Sequence, residues 1–412
     1  MGKNKNLLFL SILFLIYLPG CDSSFNHEKA IESLKQDIEY LASDELEGRE
    51  AGTEGAVKAA EYIAKRFEEI GLEPAGSEGY FQEFNFSPKK NPHAVAVDDS
   101  VKITARNVVG YIDNDAAKTV VLGAHFDHLG YGDENSLFKG DPSVHNGADD
   151  NASGVAALLL LARELKGRNQ HNNYLFIAFS GEEKGLFGSN YYSKNATIEL
   201  DQVNYMLNMD MVGRLNEENA LAINGTGTSP SWNEIINDIS IDSLKLITSE
   251  SGIGPSDHTS FYLKDIPVLH FFTGQHEDYH RPSDDFDKIN YEGLYVVTAY
   301  IDSLISKLDT SEKLAFTKTK DESSDTPRFT VTLGVVPDYM FDGKGMRIDG
   351  VSEDKPAQRA GLIAGDVVVK LGDIEVTDMM SYMKALSAFK KGDATEVTVE
   401  RGEDQFTYPI QF

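Results

Sequence analysis

The run Thr119-Val120-Val121-Leu122-Gly123-Ala124-His125-Phe126-Asp127-His128 decides how this chain is read. Its first six residues carry no charge and have the continuous apolar character of a strand buried on both faces. It ends on a histidine and an aspartate two residues apart, whose side chains leave a strand on the same side. His125 can bind a metal there while Asp127 accepts the ring's other N–H. A strand-end histidine beside a solvated aspartate is equally ordinary, so the segment needs company. Four others provide it: Gly147-Ala148-Asp149-Asp150-Asn151, Gly181-Glu182-Glu183, Asn208-Met209-Asp210-Met211 and Tyr279-His280-Arg281-Pro282-Ser283-Asp284.

Working outward, short apolar runs alternate with helical patterns. Ile31, Leu34, Ile38 and Leu41 recur at helical spacing in His27–Leu41, and a second helix over 56–70 is stopped by Gly71. Residues 80–112 turn strand-like. Gly154–Leu165 reads as a buried helix, and 174–179, Val203–Met209 and 266–272 as buried strands. The expected fold class is α/β, a mostly parallel mixed sheet sandwiched by helices. The five segments fall at or just past strand ends, where open α/β sheets place their sites.

At 412 residues the chain is long enough for two folded units, and 41% apolar residues can fill their cores. A net charge of −28 repels phosphate backbones, so no nucleic-acid partner is expected. Lys3, Lys5 and the apolar run 7–18 form a targeting segment too short to span a bilayer, which takes about 20 residues. It ends in Leu18-Pro19-Gly20-Cys21, which resembles the bacterial lipobox, and Cys21 is the sole cysteine. A lipidated Cys21, a cell-envelope location at a membrane and an absence of disulfides are the expectations. The domain reading is 1–21 signal peptide, 22–310 catalytic unit, 311–328 polar linker and 329–412 a small second unit.

Zinc accepts imidazole nitrogen and carboxylate oxygen, and two zinc ions can share one carboxylate. In the Gly-Ala-Asp-Asp-Asn-Ala-Ser-Gly turn, Asp150 can serve simply as a helix-start acid. Asp149 is read as the bridging ligand, because crowded buried acids call for a cation. One of Glu182 and Glu183 can bind metal while the other acts as general base. Asp210 sits in an apolar stretch where an unpaired acid is rare, and His280 adds a second imidazole.

In order and spacing, these motifs resemble the M28 family of zinc aminopeptidases over roughly residues 27–308, including Leu46-Glu47-Gly48-Arg49 and Ser256-Asp257-His258. The resemblance implies two zinc ions per chain, with His125 and Asp210 on one, Glu183 and His280 on the other, and Asp149 bridging. It implies Glu182 as general base, Asp127 orienting His125, Tyr279 binding the oxyanion, and a cis Asp149–Asp150 peptide. Asp257 and His258 are expected to shape the substrate pocket, with His128, His270 and His276 structural or supporting.

The last unit resembles a PDZ domain, a small β-sandwich or barrel, through Pro356-Ala357-Gln358-Arg359-Ala360-Gly361-Leu362 and Gly365-Asp366. Leu333-Gly334-Val335 would be its loop for a peptide C-terminus. The function implied is hydrolysis of the N-terminal residue from peptides with a free N-terminus, by metal-activated water and a glutamate base. A single-zinc glutaminyl cyclase-like acyltransferase and a non-catalytic peptide-binding relative are the alternatives. A carboxypeptidase of similar fold would need a basic pocket, and the ligand segments carry no Arg/Lys cluster.

Overall fold

Apolar side chains at helical spacing build the first elements. In α1 (His27–Leu41), Ala30, Leu34, Ile38 and Leu41 are buried, and Asn26 caps the start by accepting the Lys29 N–H. Helix α2 (Glu54–Ile70) starts at Thr53, whose side chain accepts the Ala56 N–H. It stops at Gly71, where a left-handed φ of 86° turns the N–H back onto the Phe67 and Glu68 carbonyls. This computed structural model describes residues 26–412 apart from 88–101, 133–134, 169, 240, 242–243, 320–330, 339–340, 342, 352–354, 378 and 403. Cys21 and the 1–21 targeting segment lie outside the described residues. Among those described, no helix is long and apolar enough to cross a membrane.

The chain continues through β1 (Glu73–Pro74), β2 (Phe81–Phe86), β3 (Ile103–Ile112), β4 (Thr119–His125), α3 (Gly154–Leu165), β5 (Asn173–Phe179), α4 (Phe187–Lys194) and β6 (Val203–Met209). It then forms β7 (Ala220–Asn224), α5 (Trp232–Asp238), β8 (Lys245–Ser249), α6 (His258–Tyr262), β9 (Val268–Phe272) and α7 (Tyr291–Leu308). One sheet runs β1-β3-β5-β4-β6-β9-β7-β8, with β2 also paired to β3. Its centre, β5-β4-β6-β9, is parallel, while β3 and β7 flank it antiparallel. Both faces are covered. Val120 and Leu122 of β4 join the larger core with α1, α2, α3 and α7, whereas Val121 joins a second core with Tyr192 of α4 and Phe261 of α6. Because the central strands are parallel, β4, β5, β6 and β9 all end at one edge.

A second, separate sheet and core form the last unit. It contains β10 (Val335–Pro337), β11 (Met346–Val351), α8 (Pro356–Ala360), β12 (Val367–Leu371), β13 (Ile374–Glu375), α9 (Met379–Ser387), β14 (Ala394–Arg401) and β15 (Asp404–Gln411). Its strands run β10-β11-β12-β14-β15, all antiparallel. Asp366 anchors it, accepting from Arg401 Nε at 2.6 Å, Arg401 Nη2 at 2.8 Å and the Ile363 N–H at 3.0 Å.

The stretch read as polar linker is in part a strap on the first unit. The Leu314 N–H donates to Asn204 Oδ1, the Thr317 N–H to the Thr228 carbonyl and the Thr319 N–H to the Tyr262 hydroxyl. Leu314 is buried and Phe316 packs on Tyr262, so two apolar anchors suffice where no sustained period exists.

Arg49 ties the site edge together. Its buried guanidinium donates to the carbonyls of Phe126 (2.7 Å), Asn146 (2.6 Å), Gly147 (3.0 Å) and Leu41. It thereby joins the end of β4 to the turn ahead of Asp150. Replacing it with methionine leaves several buried carbonyls without donors. The expected loss is about 3 kcal/mol or more of unfolding free energy in urea denaturation; a change under about 1 kcal/mol would contradict this role.

Candidate metal centre

The five ligand-type segments converge at the C-terminal edge of the parallel strands. His125 closes β4, Glu182 and Glu183 follow β5, and Asp210 follows β6. Asp150 enters from the turn before α3, and His280 from the loop after β9. All are buried or nearly so.

Asp150 is the middle of the arrangement. Its Oδ1 lies 3.3 Å from His125 Nε2, and its Oδ2 lies 3.2 Å from His280 Nε2. His125 Nε2 also stands 3.4 Å from Asp210 Oδ1, and His280 Nε2 stands 3.4 Å from Glu183 Oε2. Two donor groups result, sharing one carboxylate. These separations are long for charge-assisted hydrogen bonds. They match donors around one tetrahedral zinc, which at bond lengths of about 2.0–2.2 Å stand ~3.3–3.6 Å apart. The residues present fit two divalent ions.

Glu182 also comes close: with His125 and Asp210 it forms a group whose donor atoms lie within 4.8 Å of one another. Its Oε2 is 4.0 Å from His125 Nε2, farther than Asp150 Oδ1. The nearer aspartate therefore fits as ligand, and Glu182 stands beside the pair. A second such group joins His128, Asp150 and Glu183. His128 Nδ1 lies 2.8 Å from Glu183 Oε1, a hydrogen-bond length, so His128 holds that glutamate in place.

Two expectations are corrected here. Asp150, not Asp149, stands between the two groups, and the cis peptide joins Asp150 to Asn151, not Asp149 to Asp150. Asp149 turns the other way. Its Oδ1 accepts the Gly213 N–H at 2.7 Å, and its Oδ2 faces His276 Nε2 at 3.1 Å. Side chains alternate sides along extended backbone, and Asp150 leaves the helical region with φ of −106° and ψ of 88°. Two adjacent aspartates in the sequence do not reveal which one faces inward.

Supporting contacts orient the imidazoles. His125 Nδ1 faces the Asp127 carbonyl at 3.2 Å, and His280 Nδ1 faces the Asn135 carbonyl at 3.0 Å. With Nδ1 turned to these carbonyls, both Nε2 atoms point at the acids. The Asp127 carboxylate is 3.9 Å from His125 Nδ1 and instead accepts the Glu182 N–H at 3.2 Å, so it fixes the glutamate segment as well. Asp284, the last residue of its motif, accepts the N–H groups of Asp149 and Asp150, clamping the turn. Tyr279 stacks on the His280 ring, with centroids 3.8 Å apart. His258 is buried against His270 at 4.6 Å and belongs to neither donor group.

The electrostatics follow from crowding. Burial pushes the Asp127 carboxyl up to about 6 and drives Glu182 well above the usual range, with Asp210 and Glu183 adding to the latter. Burial opposes ionisation of Asp150 as well, but His125 and His280 hold it well below the usual carboxylate range. Burial would lower His280, yet Glu183 and Asp150 outweigh it and raise the ring to about 9. Burial takes His128 down to about 3, keeping it neutral. So many acids around so few cations are what a pair of divalent ions would neutralise.

Comparison with known proteins agrees with this geometry. Residues 107–305 match the model of peptidase family M28, and residues 315–411 match that of the PDZ domain. Aminopeptidase YwaD of Bacillus subtilis is 32% identical over 180 residues, covering 39% of this chain and 38% of that protein. The chain spans less than half the length of the first curated relatives it matches. A zinc aminopeptidase structure from Bacillus subtilis shares the fold with a TM-score of 0.54 at 19% identity, over 72% of this chain and 99% of that one. The Bacteroides thetaiotaomicron glutaminyl cyclase structure also has a TM-score of 0.54, at 20% identity, over 69% and 98%. Residues 107–305 are thus similar to peptidase family M28, and residues 315–411 to the PDZ domain.

Proposed function

We propose that this chain is a two-zinc aminopeptidase, with His125, Asp150 and Asp210 holding one ion and Asp150, Glu183 and His280 the other. The observation that carries the reading is the Asp150 carboxylate, with one oxygen 3.3 Å from His125 and the other 3.2 Å from His280. Ions held there would supply a Lewis acid for the scissile carbonyl and a nucleophilic water at neutral pH. Glu182 takes the proton from the attacking water and delivers it to the leaving amine as the peptide C–N bond breaks. Asp127 holds the Glu182 N–H and the His125 ring in register. Tyr279 donates a hydrogen bond to the oxygen on which charge develops. The acids around the centre attract the substrate's N-terminal ammonium, which favours N-terminal over C-terminal trimming.

In the last unit, Leu333-Gly334-Val335 is the proposed seat for a peptide C-terminus. Supporting this, Gly334 has a left-handed φ of 74°, and β10 lies at one end of the sheet order, where a peptide strand can add. A lipidated Cys21 would tether the enzyme at the cell envelope.

Glu182→Gln is expected to lower kcat by about 10²–10⁴-fold while zinc content by atomic absorption stays unchanged. Full activity in that variant would remove Glu182 from the proton transfer. Peptides with free amines should release their first residue in a chelator-sensitive reaction, and N-acetylated copies should resist. Equal cleavage of both would contradict the aminopeptidase reading. With glutamine-initiated peptides, release of ammonia instead of glutamine would favour the cyclase chemistry.

A further inference from the structure

Beside the metal centre lies a cavity of about 720 Å³ that opens on Glu182, Glu183 and His280. One wall comes from α4, where Phe187, Asn190, Tyr191 and Lys194 recur at helical spacing and line the cavity together. Strand β2 continues the same wall. Phe86 stacks on Phe187 with ring centroids 4.3 Å apart, and Phe84 stacks on Tyr191 at 5.2 Å. These rings form an apolar cluster of their own, distinct from the two large cores. Phe187 and Tyr191 are only half-buried, so they leave ring surface for a guest.

The charges are arranged in opposition to those of the centre. Lys184 and Lys194 line the cavity together with Glu182, Glu183 and His280, which belong to its metal-centre end. Lys184 pairs with Glu50 at 2.9 Å, while Lys194 is exposed at the end of α4. In a chain of net charge −28, an apolar slot with a lysine beside an acidic centre is a particular arrangement.

We propose that this cavity receives the residue behind the scissile bond, selects an aromatic or large aliphatic side chain there, and uses Lys194 to attract the C-terminal carboxylate of a di- or tripeptide. The inference rests on the aminopeptidase reading and names the substrate class for that site. Charge sets the orientation. The substrate ammonium is drawn to the acids of the metal centre and repelled by Lys194, so the N-terminal residue lies at the centre and the leaving portion faces the rings. Specificity arises because a large side chain leaves water for the ring wall, whereas glycine gains nothing there.

The test uses dipeptides that share one accepted N-terminal residue and vary the second, each as free acid and as C-terminal amide. With phenylalanine or leucine second, kcat/KM should exceed that for glycine by about tenfold or more. Tyr191→Ala should narrow that ratio. Lys194→Glu, at an exposed position, should lower the acid-to-amide ratio by about threefold or more. Equal rates for phenylalanine and glycine in the unaltered enzyme would overturn the side-chain selection, whether or not the Tyr191 variant folds. An unchanged acid-to-amide ratio in Lys194→Glu would overturn the carboxylate contact. Failure to cleave any free-amine peptide, whatever its second residue, would instead strike the aminopeptidase reading itself.

Discussion

The structure turns on the crowding of buried carboxylates around Asp150. Asp127, Asp149, Asp150, Glu182, Glu183, Asp210 and Asp284 gather at one sheet edge with a few imidazoles and Arg49. Taking several negative charges out of water is unfavourable unless cations or hydrogen bonds compensate. Some of that compensation is visible. Asp149 has the Gly213 N–H and His276, and Asp284 has two turn N–H groups. Asp150, Asp210 and Glu183 stand 3.2–3.4 Å from the Nε2 atoms of the two histidines, distances suited to cations held between them.

The fold serves that constraint by bringing strand ends to one place. Parallel pairing puts His125 beside Phe179 in register, so the glutamates that follow β5 arrive next to the histidine that closes β4. Asp210 arrives one strand over, after β6. The remaining donors come from loops, and loops need clamps. Arg49 gathers the carbonyls of Phe126, Asn146 and Gly147, Asp284 holds the turn from the opposite side, and the Asn135 carbonyl aims His280. The aromatic face of α4 lines a cavity with Glu182 and Glu183, outside the donor groups.

Much of this was legible because burial on both faces leaves a continuous apolar run. Val203–Met209 and Gly154–Leu165 could be bounded from sequence, and β4 and β5 nearly so. Strands β7 and β8 carry no such signal. Lys245–Ser249 is a partly exposed edge strand, and Ala220–Asn224 is short. The identity of the central aspartate was illegible for a different reason. Asp149 and Asp150 are chemically identical, and only the backbone turn decides which faces inward. His128 reads only as structural or supporting, and no motif in the sequence pairs it with Glu183. The strap at 313–319 shows how hydrogen bonds to Asn204, Thr228 and Tyr262 can order a polar stretch.

The most direct measurement is a crystal structure of the zinc-loaded chain with anomalous data at the zinc edge. The account predicts two peaks about 3.5–4 Å apart, with the Asp150 carboxylate between them and Asp149 still turned to Gly213. A single peak, or a shared carboxylate belonging to Asp149, would contradict it.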